Sequence, residues 1–293
     1  MTQIITRLAE IAPRYTAVFC DLWGCLHNGK EPFAAAVAAL RAFKAQGGTV
    51  LLLTNSPRPK PSVIAQLDRI GVPRDAWDEI VSSGDATQIA LAQSAIGPRV
   101  HHIGAAKDES FFTDYPAEIA AQMQAITRVP MDQADGILCT GLADDTVETP
   151  GDYRGKLLLG KTLGLTMLCA NPDLIVDLGE TRLYCAGTLA AEYEKLNGKT
   201  MYFGKPHPPI YDLARRKLAE LTGTDDHRIL CIGDGIGTDI QGAVAEGLDA
   251  LFVTGGIAAA EFGPDIAHPD PALLSAWLDA RALSPSHAIG LLA

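Results

Sequence analysis

Short apolar runs alternate along the chain with segments whose apolar residues recur at helical spacing. Four runs have the length of buried strands, and they cover residues 17–20, 49–53, 229–232 and 250–253. Helical patterns lie between them, at residues 32–46, 210–221 and 238–246. This alternation predicts an α/β fold with a parallel sheet.

Polar side chains follow the ends of the strand-like runs. They are Asp21, Thr54, Asn55, Asp234 and Thr254. In open α/β sheets, ligands bind outside the carboxyl ends of the strands. We therefore expect these side chains to gather at one edge of the sheet and to form one candidate site.

The middle of the chain has a pattern of its own. It contains strand-like runs at residues 100–103, 134–139 and 166–169, and a helical pattern around 156–163. This predicts a second α/β module inserted into the first. The expected organisation is a Rossmann-like, three-layer core from residues 1–83 and 186–293, with residues 84–185 as the inserted domain.

Composition narrows the class of protein. The 293 residues are 47% hydrophobic and 20% charged, which is typical of globular proteins, and the net charge of −11 disfavours a nucleic-acid partner. The N-terminus lacks a signal-peptide pattern, and no apolar run reaches the ~18 residues that span a bilayer, so we expect no membrane association. Six cysteines without paired spacing favour buried core residues in a cytoplasmic protein.

Asp21 and Lys205 are the first candidates for chemistry. Asp21 ends a buried strand ahead of Gly24, so its carboxylate lies on a tight turn. Such a carboxylate can attack phosphorus and form an aspartyl-phosphate, or it can cap a helix or stabilise a turn. Lys205 precedes a helix and offers a cation for a transferring phosphoryl group, although a solvated surface lysine has the same local pattern.

Asp234 and Asp239 lie on a glycine-rich turn. Two carboxylates at this spacing suit Mg²⁺, which takes a few protein oxygens and keeps several waters. The segment also resembles a nucleotide-binding loop, but it lacks the GxGxxG spacing, and Asp234 would repel a pyrophosphate. Thr54 and Asn55 provide a hydroxyl and an amide for phosphate oxygens, or they form an ordinary turn.

In their order along the chain, these segments resemble the motifs of the haloacid dehalogenase-like hydrolase superfamily. The four similar segments are Asp21-Leu-Trp-Gly-Cys-Leu, Thr54-Asn-Ser, Gly204-Lys-Pro and Gly233-Asp-Gly-Ile-Gly-Thr-Asp-Ile240. Ser82-Ser-Gly-Asp-Ala and Ala170-Asn-Pro-Asp173 are similar to the class IIA branch, which includes nitrophenylphosphatase-like and sugar-phosphate phosphatases. The resemblance extends from about residue 15 to 257.

The resemblance implies a Rossmann-like core, a mobile C2-type cap and Mg²⁺-dependent phosphoryl transfer. Asp21 would be the nucleophile, Thr54 the donor to phosphate oxygens and Lys205 the stabiliser of charge. The implied metal ligands are Asp21, the Trp23 backbone carbonyl and Asp234, with Asp239 in support. The remaining substrate-binding candidates are Gly24, Asn55, Ser56, Asn171 and Asp173.

Trp23 departs from the family pattern, because similar phosphatases carry a second aspartate two residues after the nucleophile. That aspartate protonates the leaving alcohol, and its loss should remove about 10²–10⁴-fold of acid–base catalysis. His27 is the nearest titratable candidate for the role. Otherwise the leaving groups are good, as in acyl or aryl phosphates, or catalysis is weak.

The sequence therefore predicts a cytoplasmic, Mg²⁺-dependent hydrolase of a small phosphorylated metabolite, with a homodimer as one expected assembly. Two alternatives stay open. A catalytically weak relative would bind a phosphorylated ligand or a protein partner as a sensor, and Trp23 favours this reading. A metal-independent dehalogenase would also carry an aromatic residue there, but Asp234 and Asp239 favour metal-assisted phosphoryl transfer.

Overall fold

The computed structural model describes residues 2–179 and 181–293 of the chain. Within these residues the structure contains fourteen strands and ten α-helices. The strands are β1 (Gln3–Ile4), β2 (Ala17–Cys20), β3 (Thr49–Thr54), β4 (Glu79–Ser82), β5 (Arg99–Ile103), β6 (Thr127–Arg128), β7 (Gly136–Cys139), β8 (Thr166–Cys169), β9 (Ile175–Leu178), β10 (Thr181–Tyr184), β11 (Lys199–Tyr202), β12 (Ile229–Gly233), β13 (Asp249–Val253) and β14 (His287–Ile289). The helices are α1 (Ala34–Ala45), α2 (Lys60–Ile70), α3 (Ser83–Ala92), α4 (Ser110–Thr113), α5 (Ala120–Gln124), α6 (Arg154–Thr162), α7 (Ala186–Lys195), α8 (Pro208–Thr222), α9 (Gln241–Ala245) and α10 (Pro271–Asp279).

The first sheet has seven parallel strands in the order β1-β14-β13-β12-β2-β3-β4. Every residue of β2 and β12 is buried, as expected for strands that are covered on both faces. Val18 and Leu52 belong to the apolar cluster on one face, and Phe19 and Leu51 to the cluster on the other. These layers confirm the predicted α/β, Rossmann-like core.

The register of the central strands brings their carboxyl ends side by side. Cys20 pairs with Ile232 across β2 and β12, and the Asp21 N–H donates to the Ile232 carbonyl at 2.8 Å. Cys20 also pairs with Leu52 of β3, the strand that ends at Thr54. The residues that follow these strands therefore begin at one edge of the sheet, as the sequence predicts.

The structure differs from the helix predicted over residues 238–246. It begins as a π-helical turn, Ile236–Ile240, and only then continues as α9. Within this turn the Asp239 carboxylate accepts a hydrogen bond from the Gly235 N–H at 3.1 Å. The wider turn directs the Asp239 side chain back toward the sheet edge, as such turns often do at functional sites.

The second sheet has five parallel strands in the order β11-β8-β7-β5-β6. Strand β11 pairs with β8, so this sheet continues past residue 185, where the sequence analysis ends the inserted segment. The pattern of Lys199–Tyr202 does not identify its neighbour, because pairing depends on residues distant in sequence. Whether the segment is a separate domain stays a prediction.

A two-stranded antiparallel hairpin of β9 and β10 extends from the second sheet toward the first. The Gly179 N–H donates to the Asn28 carbonyl at 3.2 Å, and Leu178 lies close to Gly29. The hairpin therefore contacts the loop that follows Asp21.

All six cysteines are free and buried, as predicted for small core residues. Among the helices of the described residues, none has both the length and the apolar character that a membrane span requires.

Candidate active site

A buried lysine connects two carboxylates at the carboxyl edge of the first sheet. Lys205 Nζ lies 2.6 Å from Asp21 Oδ1 and 2.6 Å from Asp239 Oδ1, and the Lys205 side chain is only 3% exposed. Asp21 follows β2, Asp239 lies in the π-helical turn after β12, and Lys205 precedes α8. Three segments that are far apart in sequence thus meet within hydrogen-bonding distance.

The buried charges at this edge influence one another strongly. Burial raises the pKa of Asp21 well above its ordinary value, while the Lys205 ammonium opposes the rise. Burial lowers the pKa of Lys205, but Asp21 and Asp239 outweigh this effect and raise it. The Lys205 ammonium and the two carboxylates therefore favour each other's charged forms, against the effect of burial.

Asp234 lies next to Asp21 and forms the part of the site that suits a metal ion. Ligand atoms of Asp21, Cys25 and Asp234 all lie within 4.8 Å of one another. The Ile257 N–H donates to Asp234 Oδ2 at 2.8 Å. Gly24 leaves room for this carboxylate, since a Cβ there would lie 2.0 Å from Asp234 Oδ2.

The chemistry of this donor set fits Mg²⁺, which prefers carboxylate and carbonyl oxygens. The two carboxylates, Asp21 and Asp234, belong to the cluster, whereas Asp239 does not. Asp239 uses one oxygen for Lys205, and its other oxygen accepts from Gly235 and Thr238. Asp239 thus contacts Lys205, and its expected support of a metal ion stays a prediction.

The Asn55 side chain forms hydrogen bonds with both Asp173 and the backbone of Lys205. Its Nδ2 donates to Asp173 Oδ1 at 2.8 Å and to the Lys205 carbonyl at 3.0 Å, while its Oδ1 accepts from the Lys205 N–H at 2.7 Å. Gly204 allows this close approach, because a Cβ there would lie 2.5 Å from Asn55 Oδ1. Asn171 Oδ1 in turn accepts from the Asp173 N–H at 3.0 Å.

A cavity of about 380 Å³ opens above Asp21, between the two sheets. Of the predicted site residues, Asp21, Trp23, Thr54, Ser56, Asn171 and Asp173 line it. An adjoining cavity of about 210 Å³ is lined by Gly24, Lys205, Asp234 and Asp239, and shares Asp21, Trp23 and Asp173 with the first. Most of the predicted site residues therefore line one or both of these adjoining cavities.

Thr254 does not belong to the site, although it follows a strand of the same sheet. Its hydroxyl donates to the Ile289 carbonyl of β14 at 3.1 Å, so it forms a hydrogen bond with the backbone of the neighbouring strand. The expectation that all five strand-end residues share one site is wrong for this residue.

Trp23 lies at the wall of both cavities, packed against the loop that carries it. Its ring meets His27 edge to face at 5.1 Å between centroids. Gly29, with φ of +83°, provides the space, since a Cβ there would lie 2.3 Å from the indole. His27 is fully buried, and its Nδ1 accepts from the Gly29 N–H at 3.0 Å. Burial lowers the pKa of His27 to about 4, so it does not fit the role of the missing acid.

Sequence reasoning missed several polar residues that line the larger cavity. They are Arg58, Gln66, Arg69, Lys107, Asp108, Thr140 and Asp145. Thr140 follows β7 as Thr54 ends β3, so the same strand-end rule would have found it in the second sheet. The other six follow no strand directly, and their positions carry no local signal.

Two family models and one solved structure decide which family this is. Residues 18–118 match a model described as haloacid dehalogenase-like hydrolase, and residues 202–276 match one described as HAD-hydrolase-like. The crystal structure of a haloacid dehalogenase-like hydrolase from Brucella suis 1330 is 39% identical, covers 99% of this chain and 100% of that chain, and has a TM-score of 0.85. The chain belongs to the haloacid dehalogenase-like hydrolases.

Two curated proteins are more distant relatives of this haloacid dehalogenase-like hydrolase. The D-glycerol 3-phosphate phosphatase of Mycobacterium tuberculosis is 26% identical over 85% of this chain and 66% of that protein, just under two thirds of its length. The 5′-nucleotidase of Bacillus subtilis is 25% identical over 90% of this chain and 98% of that protein. The mycobacterial enzyme has been solved in complex with calcium, and that structure is 25% identical with a TM-score of 0.62 over 85% of this chain and 69% of that one.

Proposed function

We propose that this hydrolase is a Mg²⁺-dependent phosphatase that acts on a small phosphorylated metabolite through an aspartyl-phosphate on Asp21. The observation that carries the proposal is the buried Asp21–Lys205–Asp239 arrangement, with Asp234 beside it. The names of the two curated relatives, a phosphatase and a 5′-nucleotidase, both describe the hydrolysis of phosphate monoesters and support the same reaction class.

In the first step, an oxygen of the Asp21 carboxylate attacks phosphorus. A bond forms between the two, and the bond from phosphorus to the leaving oxygen breaks with its electron pair going to that oxygen. In the second step, water attacks the phosphorus of the aspartyl-phosphate. The bond from phosphorus to the water oxygen forms, and the bond from phosphorus to the Asp21 oxygen breaks with its electron pair going to Asp21, which restores the carboxylate. The protons of the water leave with inorganic phosphate or pass to solvent.

Lys205 would stabilise the charge that develops during both steps, because its ammonium already lies 2.6 Å from the attacking carboxylate. Asp239 would position that ammonium through its own 2.6 Å contact. Thr54 and Ser56, which line the cavity, would donate to the phosphoryl oxygens. The hydrogen bonds of Asn55 would keep Lys205 and Asp173 in place.

Asp21, Asp234 and the Trp23 backbone carbonyl would hold Mg²⁺. When bound, the metal would neutralise charge on the phosphoryl group and orient it for in-line attack. Cys25 belongs to the same cluster, but burial raises the pKa of its thiol, so it stays protonated and is a poor ligand for a hard cation.

We expect Trp23 to slow the proposed reaction for alkyl phosphates rather than to prevent it. Its indole N–H cannot supply the proton that an alkoxide needs, and His27 is buried away from the cavity. We therefore expect acyl and aryl phosphates to react faster than alkyl phosphates, which need protonation of the leaving oxygen.

The proposal is tested by measuring phosphate release from acetyl phosphate, p-nitrophenyl phosphate and glycerol 3-phosphate, with Mg²⁺ and with EDTA. We expect release that depends on Mg²⁺ and a decrease of at least about 10³-fold in Asp21→Asn, which removes the nucleophile but preserves the shape of the side chain. Asp212→Asn, a change at an exposed carboxylate of α8, is the matched control.

Other outcomes would favour the alternatives. Unchanged turnover in Asp21→Asn would reject the nucleophile. Stabilisation by phosphate esters without any phosphate release would favour the sensor, and halide release that EDTA does not affect would favour the dehalogenase. The cytoplasmic location, the homodimer and the closing motion of the cap stay predictions.

A further inference from the structure

The larger cavity contains a cation that the chemistry at Asp21 does not use. Arg58 lines this cavity but not the adjoining one, which contains Lys205, Asp234 and Asp239. Within residues 2–179 and 181–293, no carboxylate lies within 4.0 Å of the Arg58 guanidinium, whose side-chain hydrogen bond goes to the neutral Gln66 Oε1 at 2.7 Å. Arg58 is half-buried, and Asp108 and Asp145 of the cavity lining act on it only from beyond ion-pair distance. A guanidinium that lines a cavity without a direct ion pair is suited to an anion from a ligand.

The segment that carries Arg58 is held firmly. The Arg58 N–H donates to Ser56 Oγ at 3.3 Å, and the Gly84 N–H donates to the Ser56 carbonyl at 3.0 Å. A Cβ at Gly84 would lie 2.4 Å from the Pro57 carbonyl oxygen, so α3 packs directly against this segment. The backbone of Arg58 is therefore held in place, and the hydrogen bond to Gln66 orients its guanidinium.

Other charged residues that line the cavity show which side of it Arg58 faces. Arg69 and Lys107 line the same cavity, and Lys107 forms an ion pair with Asp145. Asp108, across the cavity, accepts from Thr140 and is buried. Arg58 thus faces residues of the second sheet layer rather than the carboxylates of the metal side.

We propose that Arg58 forms a second anion subsite, and that the substrate is a phosphate monoester whose organic part carries another anionic group, a carboxylate or a phosphate. This inference rests on the proposed function, because it places the transferring phosphoryl group at Asp21. The cavity volume of about 380 Å³ accommodates both groups of a small metabolite at once.

Matched pairs of esters test the subsite. In the wild type we expect kcat/KM to be at least about 10-fold higher for 3-phosphoglycerate than for glycerol 3-phosphate, or for fructose 1,6-bisphosphate than for fructose 6-phosphate. The pair that shows the preference identifies the second anion as a carboxylate or a phosphate. For the pair that shows the preference, Arg58→Gln should reduce the ratio of the two kcat/KM values by about 10- to 100-fold, and Arg58→Lys should retain part of that ratio.

Arg74→Gln is the matched control, because Arg74 is exposed, pairs with Asp68 and lies outside the cavity lining. In Arg74→Gln, the ratio of kcat/KM between the two esters of each pair should equal that of the wild type. An equal loss for both esters of a pair in Arg58→Gln would overturn the proposal, since Arg58 would then act on the transferring phosphoryl group. A wild type without either preference would also overturn it.

Failure of the proposed function has a separate signature, which is the absence of hydrolysis for every ester. In that case, calorimetric titration with 3-phosphoglycerate, fructose 1,6-bisphosphate and their counterparts without the second anion, glycerol 3-phosphate and fructose 6-phosphate, decides the matter. One informative result is that the wild type binds an ester with two anionic groups more tightly than its counterpart, and that Arg58→Gln abolishes this difference. That result would support the anion subsite in a protein that does not catalyse hydrolysis. Equal affinities within both pairs would overturn it.

Discussion

Two groups of residues border the adjoining cavities, and they carry different chemistry. At the edge of the first sheet the groups are charged and closely ion-paired, with Lys205, which follows β11 of the second sheet, between Asp21 and Asp239. After β7 and β8 of the second sheet the groups are neutral, namely the Thr140 hydroxyl and the Asn171 amide. In the proposed reaction, the charged groups would act on the phosphoryl group and the neutral groups would contact the rest of the substrate.

The largest expected effect concerns the charged side of this comparison. Lys205→Met leaves two buried carboxylates without their cation, which should lower the free energy of unfolding by about 3–5 kcal/mol. The same change should reduce kcat by at least about 10³-fold. Urea denaturation and phosphate release measure the two effects.

Lys217→Met is the control for this prediction, because Lys217 pairs with Glu220 on the exposed face of α8. Its effect on stability should stay below about 0.5 kcal/mol. If both variants unfold at the same urea concentration, Lys205 does not stabilise the two buried carboxylates.

The next prediction concerns Trp23, at the boundary of the two regions. Trp23→Asp introduces a carboxylic acid near the leaving oxygen and should raise kcat for alkyl phosphates by about 10²-fold. Trp23→Asn creates a similar space without an acid and should give no such gain. A stopped assay with glycerol 3-phosphate compares the variants, and thermal shifts with Mg²⁺ verify that both still bind the metal. No gain in the Asp variant with the metal bound would refute the role assigned to this position.

The smallest effect is expected on the neutral side. The Thr140 hydroxyl donates to Asp108 Oδ2 at 2.9 Å and accepts from His102 Nε2 at 2.9 Å. Thr140→Val leaves both groups unpaired and should cost about 1–3 kcal/mol of stability. Thr140→Ser, which keeps the hydroxyl, should cost less. Urea titrations that rank the two variants in the opposite order would contradict this network.

Much of the first sheet and its edge could be predicted from the sequence. Strand β2 matches the prediction because its apolar residues are consecutive and a polar residue stops them. Asp21, Thr54 and Asp234 could be placed together because parallel strands end at one edge, whatever the intervening sequence. The resemblance to a family then supplied the order of the motifs and their implied roles.

Other features depend on contacts that the sequence does not reveal. The hydrogen bonds of Asp239 to Lys205 and Gly235 arise from a π-helical turn, which a regular helical pattern conceals. The packing of the Trp23 ring depends on Gly29, whose left-handed backbone leaves room for the indole. The place of β11 in the second sheet is set by pairing across the chain, not by local pattern.

The contact between Gly179 and Asn28 links the entrance of the cavity to the loop after Asp21. A single backbone hydrogen bond has a net strength of about 1 kcal/mol, little more than thermal energy. With Leu178 beside Gly29, the hairpin therefore contacts the loop far less extensively than the strands of either sheet contact one another. If the cap moves as predicted, exchange of substrate and product would require the loss of these few contacts and no unfolding of either sheet.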